Sequence, residues 1–266
     1  MSAAGSGDAL REFYEKEGWE RGASGQYRDT EAFVDLRPVT RRYRARIARR
    51  TLRLVRPPTG ALLDIGCGGS PTPTGADSPA TRVCLDVAGA ALRGARDVLG
   101  DRSTYVRADV CRLPFADDTF ARILCAHVVY HLPYRRQLRA VSEMHRVLAP
   151  GGRAVVVYAR LDTLPLRLAH RRRPADEPAD GSPGHPALPY HPVGVRTLCK
   201  ALGTRGIPVE VGTWALFAAE VTRALVPDNV LGRATLALAS ITERLVPRLV
   251  LPLANYPMLI IGKDAR

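Results

Sequence analysis

Leu62-Leu63-Asp64-Ile65-Gly66-Cys67-Gly68-Gly69-Ser70 is the segment to read first. A short apolar run stops in a cluster of glycines, the pattern of a strand entering a turn where the backbone approaches a ligand closely. Glycine after a strand also serves plain turns, so the neighbourhood has to decide. The Gly-x-Gly-x-x-Gly fingerprint of a dinucleotide site fails, because Pro71 stands where the third glycine belongs.

Working outward, Asp86 closes a second apolar run, 22 residues after Asp64, and Asp109 closes a third. A carboxylate in the place of Asp86 can accept both hydroxyls of a ribose. One in the place of Asp109 can accept from the exocyclic amine of adenine. Any single aspartate is more often a helix cap or a turn residue. Three at successive strand ends mark the rim where open α/β sheets bind ligands.

Further apolar runs follow at residues 121–126 and 154–158, with helical patterns over 38–55 and 133–148. Uninterrupted apolar strands separated by helices predict a parallel sheet covered on both faces. Residues 171–189 are dense in Pro, Gly and charge and read as a loop. Residues 194–202 read as a helix, and 207–212 and 257–261 as closing strands. Between those strands, residues 214–250 form an apolar helical insertion broken by Pro227 and Pro247. A covered core is its default use, while a pocket cap, a homodimer face or a lipid-docking face are the others.

The chain has 266 residues, 46% of them apolar, and a formal charge of +13 carried by arginine, since lysine occurs only at Lys16, Lys200 and Lys263. Its basic clusters do not alternate with aromatics as a single-strand groove would, so nucleic acid is disfavoured and the charge reads as a solvated basic surface. Cys67, Cys84, Cys111, Cys125 and Cys199 show no zinc or redox spacing, and no metal is expected. The first residues lack an export signal, and no stretch has the length of a membrane span. The expected location is the cytoplasm.

The ordered motifs resemble the class I S-adenosylmethionine (SAM)-dependent methyltransferases. LLDIGCGGS is similar to their first motif and VCLDVAGAAL to their acidic second strand. ADVCRLPFADDTFARILCAHVVYHL is similar to their third and fourth strands, and RAVSEMHRVLAPGGRAVVV to the helix, turn and strand that follow. The resemblance covers residues 60–160. The N-terminal FYEKEGWERGASGQYRDTEAFVDLRPVTRRYR resembles the lid of a bacterial small-molecule branch.

The resemblance implies a Rossmann-like fold with a seven-stranded, mostly parallel sheet, flanking helices, an N-terminal helical lid and a helical insertion before the last strand. It implies one domain: a lid over 1–55, a SAM-binding core over 56–160, and a substrate-side loop, cap helices and closing strands over 161–266. By the same carry-over, Asp64, Gly66, Cys67 and Gly68 lie against the methionine part of SAM. Asp86 and Val87 meet the ribose, Asp109 and Val110 the adenine, and His127 also faces the cofactor. One departure is Ser70-Pro71-Thr72-Pro73-Thr74-Gly75, where the family has a regular helix.

Methyl transfer from a sulfonium is an in-line displacement that needs alignment and exclusion of water, and needs a base only when the nucleophile carries a proton. His127, Tyr130 and His131, after the fourth strand, are the candidates for that base. Tyr14, Tyr27, Tyr190 and His191 are candidate substrate contacts from the covers. Base-modifying relatives carry Asn/Asp-Pro-Pro-Tyr after the fourth strand, and Ala126-His127-Val128-Val129-Tyr130 lacks it. The expected acceptor is therefore a small molecule, a secondary metabolite or sugar-linked intermediate of natural product biosynthesis, with S-adenosylhomocysteine as the other product. The rival readings are a SAM-binding cyclase, an RNA methyltransferase and a non-catalytic subunit.

Overall fold

The computed structural model describes residues 11–22, 25–56, 59–71, 81–172 and 188–265. Seven strands form one sheet: β1 (Leu62–Ile65), β2 (Arg82–Asp86), β3 (Ser103–Arg107), β4 (Phe120–Ala126), β5 (Leu148–Val157), β6 (Val209–Ala215) and β7 (Tyr256–Gly262). Their spatial order is β3-β2-β1-β4-β5-β7-β6. β1, β2, β3, β4 and β5 pair in parallel, and β7 runs antiparallel to both β5 and β6. The strand order reverses between β1 and β4, and ligands of open α/β sheets bind at the carboxyl ends beside such a switch.

Nine α-helices surround the sheet among the described residues: α1 (Arg28–Phe33), α2 (Arg41–Val55), α3 (Gly89–Leu99), α4 (Tyr134–Val147), α5 (Leu164–Arg171), α6 (Val195–Gly203), α7 (Ala219–Leu225), α8 (Val230–Leu245) and α9 (Pro247–Val250). In α4, Gln137, Leu138, Val141, Met144 and Val147 are buried at spacings of three and four, the stripe that seats a helix on a sheet. The main core joins Leu63, Ile65, Leu85, Ile123 and Val156 to that stripe.

The structure adjusts several boundaries. The sixth strand continues to Ala215, so the insertion starts later than its apolar composition suggests. Pro247 opens α9, where its missing amide costs nothing. Asp109 lies two residues beyond the end of β3. Residues 72–75 and 173–187, which carry the departing segment and most of the predicted loop, lie outside the described residues.

Candidate active site

At the end of β1 the chain turns through Gly66 (φ +65°) and Gly68 (φ +63°), both in the left-handed region that penalises a Cβ. The amide of Gly68 donates to Asp86 Oδ2 at 3.1 Å, and Ala88 N donates to Oδ1 at 3.0 Å. Asp86 is thus a buried carboxylate held by backbone at the end of β2. Burial pushes its pKa up, and backbone amides of Ala88, Gly68 and Val87 oppose the rise.

Asp64 is placed differently. It pairs with Cys84 in register, and its Oδ2 accepts from Arg82, which lies on the same face of β2. Both side chains are buried, so Asp64 commits an oxygen to an ion pair inside the sheet. Asp109 sits on the exposed rim, where it accepts from Cys111 N at 2.8 Å and from Arg136. The three carboxylates therefore occupy three settings, and Asp86 is the one that touches the glycine turn. Cys67 is buried beside Cys84, with its thiol pushed up by the Cys84 hydrogen bond and by burial. Val110 is buried, while Val87 offers its carbonyl to Arg107 Nε at 3.0 Å.

The N-terminal segment covers this end. A short π-helical turn, Tyr14–Gly18, carries Glu15, whose carboxylate accepts the Gly89 amide at 2.6 Å and so caps the start of α3. Trp19 then lies on the glycines: a Cβ on Gly68 would stand 2.5 Å from its ring. Tyr14 stacks on Trp19 at 5.9 Å and Tyr27 meets it edge-on at 5.5 Å. Trp19 Nε1 is a buried donor with no acceptor among the described residues.

Sequence reasoning missed Asp29. Burial raises its carboxyl to about 6, with the Tyr14 hydroxyl opposing and the Asp86 charge adding. Its partner is affected too, since burial and then the Asp29 charge push the Tyr14 phenol well up. Asp29 reads as a first-turn helix residue, and the signal available was only a carboxylate two places after a lid tyrosine. What turns it inward is the anchoring of α1. Arg223 of α7 donates to the carbonyls of Glu31, Ala32 and Val34, at 2.7 to 2.8 Å, which satisfies the helix's orphan acceptors. The lid and the insertion thereby brace each other.

The far side of the rim is aromatic. His127 follows β4 with φ +62°, a conformation rare outside glycine. Its ring meets Trp214 edge-on at 5.0 Å and Tyr256 at 4.8 Å, and its Nδ1 shares a 3.1 Å hydrogen bond with the Tyr130 hydroxyl. Trp214 is itself held by its Nε1 donating to Thr51 on α2 at 2.9 Å. Desolvation, with the His131 charge second, lowers His127 to about 4, so the imidazole is neutral at pH 7. A group that weak is a poor general base near neutrality. The next residue, Val128, packs on Gly66, which joins the aromatic side to the glycine turn.

The other candidates divide. Tyr190 stacks on Tyr130 at 5.3 Å and 20°. His131 does not face open space: it is buried, with Nδ1 donating to the Pro189 carbonyl at 3.0 Å, which clamps the segment carrying Tyr190. His191 contributes backbone, its amide donating to Tyr130 O at 2.8 Å and its carbonyl accepting from Gln137 Nε2 at 2.6 Å, while its side chain is exposed. Trp214 and Tyr256 are site residues that sequence reasoning passed over, because each reads as ordinary strand filling.

Residues 63–156 match a family described as a methyltransferase domain. The methyltransferase GfsG of Streptomyces halstedii is 40% identical over 114 residues, which cover 38% of this chain and 40% of that protein. Over this segment the chain is similar to methyltransferase domains. It spans less than half the length of the curated relatives it matches. Among solved structures, the Haemonchus contortus phosphoethanolamine N-methyltransferase 1, in complex with phosphoethanolamine and S-adenosylhomocysteine, superposes with a TM-score of 0.64 at 13% identity. That match covers all of this chain and 50% of the other. The [4+2]-cyclase SpnF superposes with a TM-score of 0.54 at 18% identity, over 83% and 81% of the two chains. Such distant likeness speaks to the shared fold. No helix among the described residues is long and apolar enough to cross a membrane.

Proposed function

We propose that this chain transfers the methyl group of SAM to an oxygen or nitrogen of a moderately hydrophobic small molecule, a secondary metabolite or sugar-linked intermediate. The observation that carries the reading is the ring cluster of His127, Trp214 and Tyr256, set beside the glycine turn through the Val128–Gly66 contact. An apolar, edge-lined wall at the carboxyl end of β4 suits a flat or greasy acceptor better than a polyanion.

The residues on the other side suit SAM. Two left-handed glycines keep the turn free of side chains, Asp86 offers a buried carboxylate to ribose hydroxyls, and Trp19 Nε1 is a buried donor without an acceptor among the described residues. Gly66, Gly68, Asp86, Asp109 and the Val110 amide would hold the cofactor, which when bound supplies an electrophilic methyl on a positive sulfur. The protein's own work is then alignment and the exclusion of water by Tyr14, Trp19 and Tyr27. A neutral His127 hydrogen-bonded to Tyr130 orients the acceptor, and Asp29 is the group tuned to take a proton near neutral pH. We read the chain as one functional unit, with 1–55 as lid, 56–160 as cofactor core and 161–266 as acceptor cover. The five free cysteines fit a cytoplasmic setting.

The test is calorimetric titration with SAM followed by incubation with a panel of phenolic, polyketide and glycosylated acceptors, read by mass spectrometry. A product heavier by one CH2 is expected. SAM binding with a rearranged product of unchanged mass would overturn methyl transfer, and labelled methyl appearing only in RNA would overturn the acceptor class.

A further inference from the structure

We propose that α8 and α9 form a docking face for an anionic lipid bilayer surface. In α8, Leu231, Leu238 and Leu245 recur every seven residues with Ile241 between them. Residues seven apart drift by only about 20° around a helix, so these side chains form one stripe. The opposite face, with Gly232, Leu236, Ala239 and Glu243, is the one buried against the protein. The stripe stands outward, with Leu231 68%, Leu238 61%, Ile241 50% and Leu245 71% exposed, and it continues past Pro247 into Leu249, 76% exposed. A contiguous apolar face of this kind marks an interaction site.

Charge decides what covers it. From Asn229 to Lys263 the chain has one acid, Glu243. That carboxylate is buried, accepting from the Tyr43 hydroxyl and the Leu216 amide and pairing with Arg50. The nearby exposed acid Asp162 is engaged by Arg160, and Asp228 accepts the Val39 amide. Arg233, Arg244 and Arg248 are exposed beside the stripe. α2, which packs against α8 through Tyr43 and Glu243, adds the exposed Arg42, Arg46, Arg49 and Arg53, and no acid occurs between Leu36 and Leu63.

A second copy laid on this face would set arginine against arginine with no carboxylate to receive it, which like-charge repulsion disfavours. An anionic bilayer supplies both missing complements: an acyl boundary for the leucines and phosphates for the guanidiniums. The face is one helix of 16 residues, roughly 24 Å long, laid flat on the protein. It suits lying in the interfacial plane.

The test uses the full chain in flotation with vesicles of phosphatidylcholine alone or with phosphatidylglycerol as a third of the lipid. Binding to the anionic vesicles, weak binding to the neutral ones and loss in high salt are expected. The variant L231E/L238E/L245E should keep its circular dichroism and SAM affinity while its partition coefficient falls about tenfold or more. Arg233→Glu with Arg244→Glu should weaken anionic binding alone. Equal partition of the wild type and the leucine variant would overturn the proposal, and so would failure of the wild type to float with anionic vesicles. A micromolar dimer by light scattering that the leucine variant dissolves would assign the face to a second copy instead.

Discussion

At the β1–β2 end of the rim the site is built from backbone: two left-handed glycines, and an aspartate fixed by the amides of Gly68 and Ala88. At the β4–β7 end it is built from rings, His127 and Tyr130 after β4, Trp214 in β6 and Tyr256 in β7, that come from three segments and meet edge to face. Backbone geometry constrains residue type directly, because only glycine tolerates φ near +65° at no cost and a carboxylate offers one oxygen to each of two amides at a strand end. A ring cluster sets no such demand on any one position. One side suits an invariant ligand and the other a ligand that differs between proteins of the same fold.

The sharpest way to break that comparison is at Asp64. If it serves the sheet by facing Arg82, Asp64→Ala should cost about 3 to 5 kcal/mol of stability by removing the charge opposite a buried guanidinium. The double variant Asp64→Ala with Arg82→Met should recover most of that loss, because replacing a whole buried pair is often neutral. Thermal or urea unfolding decides. Full stability with abolished SAM binding would return Asp64 to the cofactor side of the rim.

Asp86 gives the next largest effect. Asp86→Ala should weaken SAM by about 1 to 3 kcal/mol, the cost of leaving cofactor hydroxyls without their acceptor. Calorimetry reads it, and an unchanged Kd would remove Asp86 from the site.

Those two residues also mark where the sequence stops being legible. The segment 62–70, the strand alternation and the carboxylate after β2 could be read because each is coded by residues adjacent in the chain. Asp109 could be assigned to the rim but not to its partner, since Arg136 comes from α4, a helix later. Asp29, Trp19 and Trp214 were illegible for a physical reason. Their facing is set by Arg223 capping α1, by Glu15 capping α3 and by Thr51 holding the indole, contacts that link distant segments. His191 shows the converse error: a residue type suited to chemistry whose backbone carries the contact.

Asp29 sharpens the comparison from the lid. Its pKa in the folded chain, about 6, lies above its ordinary value of 3.8. The protonated form is thus favoured by folding, and the stability it contributes, complete below pH 4, is lost as pH rises through 6. Asp29→Asn should be more stable than the wild type by on the order of 1 to 2 kcal/mol above pH 7, and equal to it near pH 4. Unfolding midpoints measured across pH 4 to 8 test this. A constant difference between the two proteins would mean that Asp29 is not buried against Tyr14. If Asp29 also accepts the acceptor's proton, the same variant should lose the acid limb of the rate profile, the rise near pH 6.

The smallest effect belongs to His127, and it separates orientation from proton transfer on the aromatic side. Its pKa is depressed from 6.5 to about 4, so its contribution to stability is present above pH 6.5 and is lost as pH falls through 4. Over pH 6.5 to 8 the ring does not titrate, and any pH dependence of turnover there comes from another group. His127→Asn keeps a side chain that tolerates a positive φ and removes the ring that meets Trp214 and Tyr256. The acceptor KM should rise several-fold, roughly the 0.5 to 1.5 kcal/mol of an aromatic pair, with the SAM affinity and the shape of the pH profile unchanged. A variant that instead keeps its KM and loses an inflection in the profile would show that the imidazole carries the proton, and the ring wall would then be catalytic rather than positional.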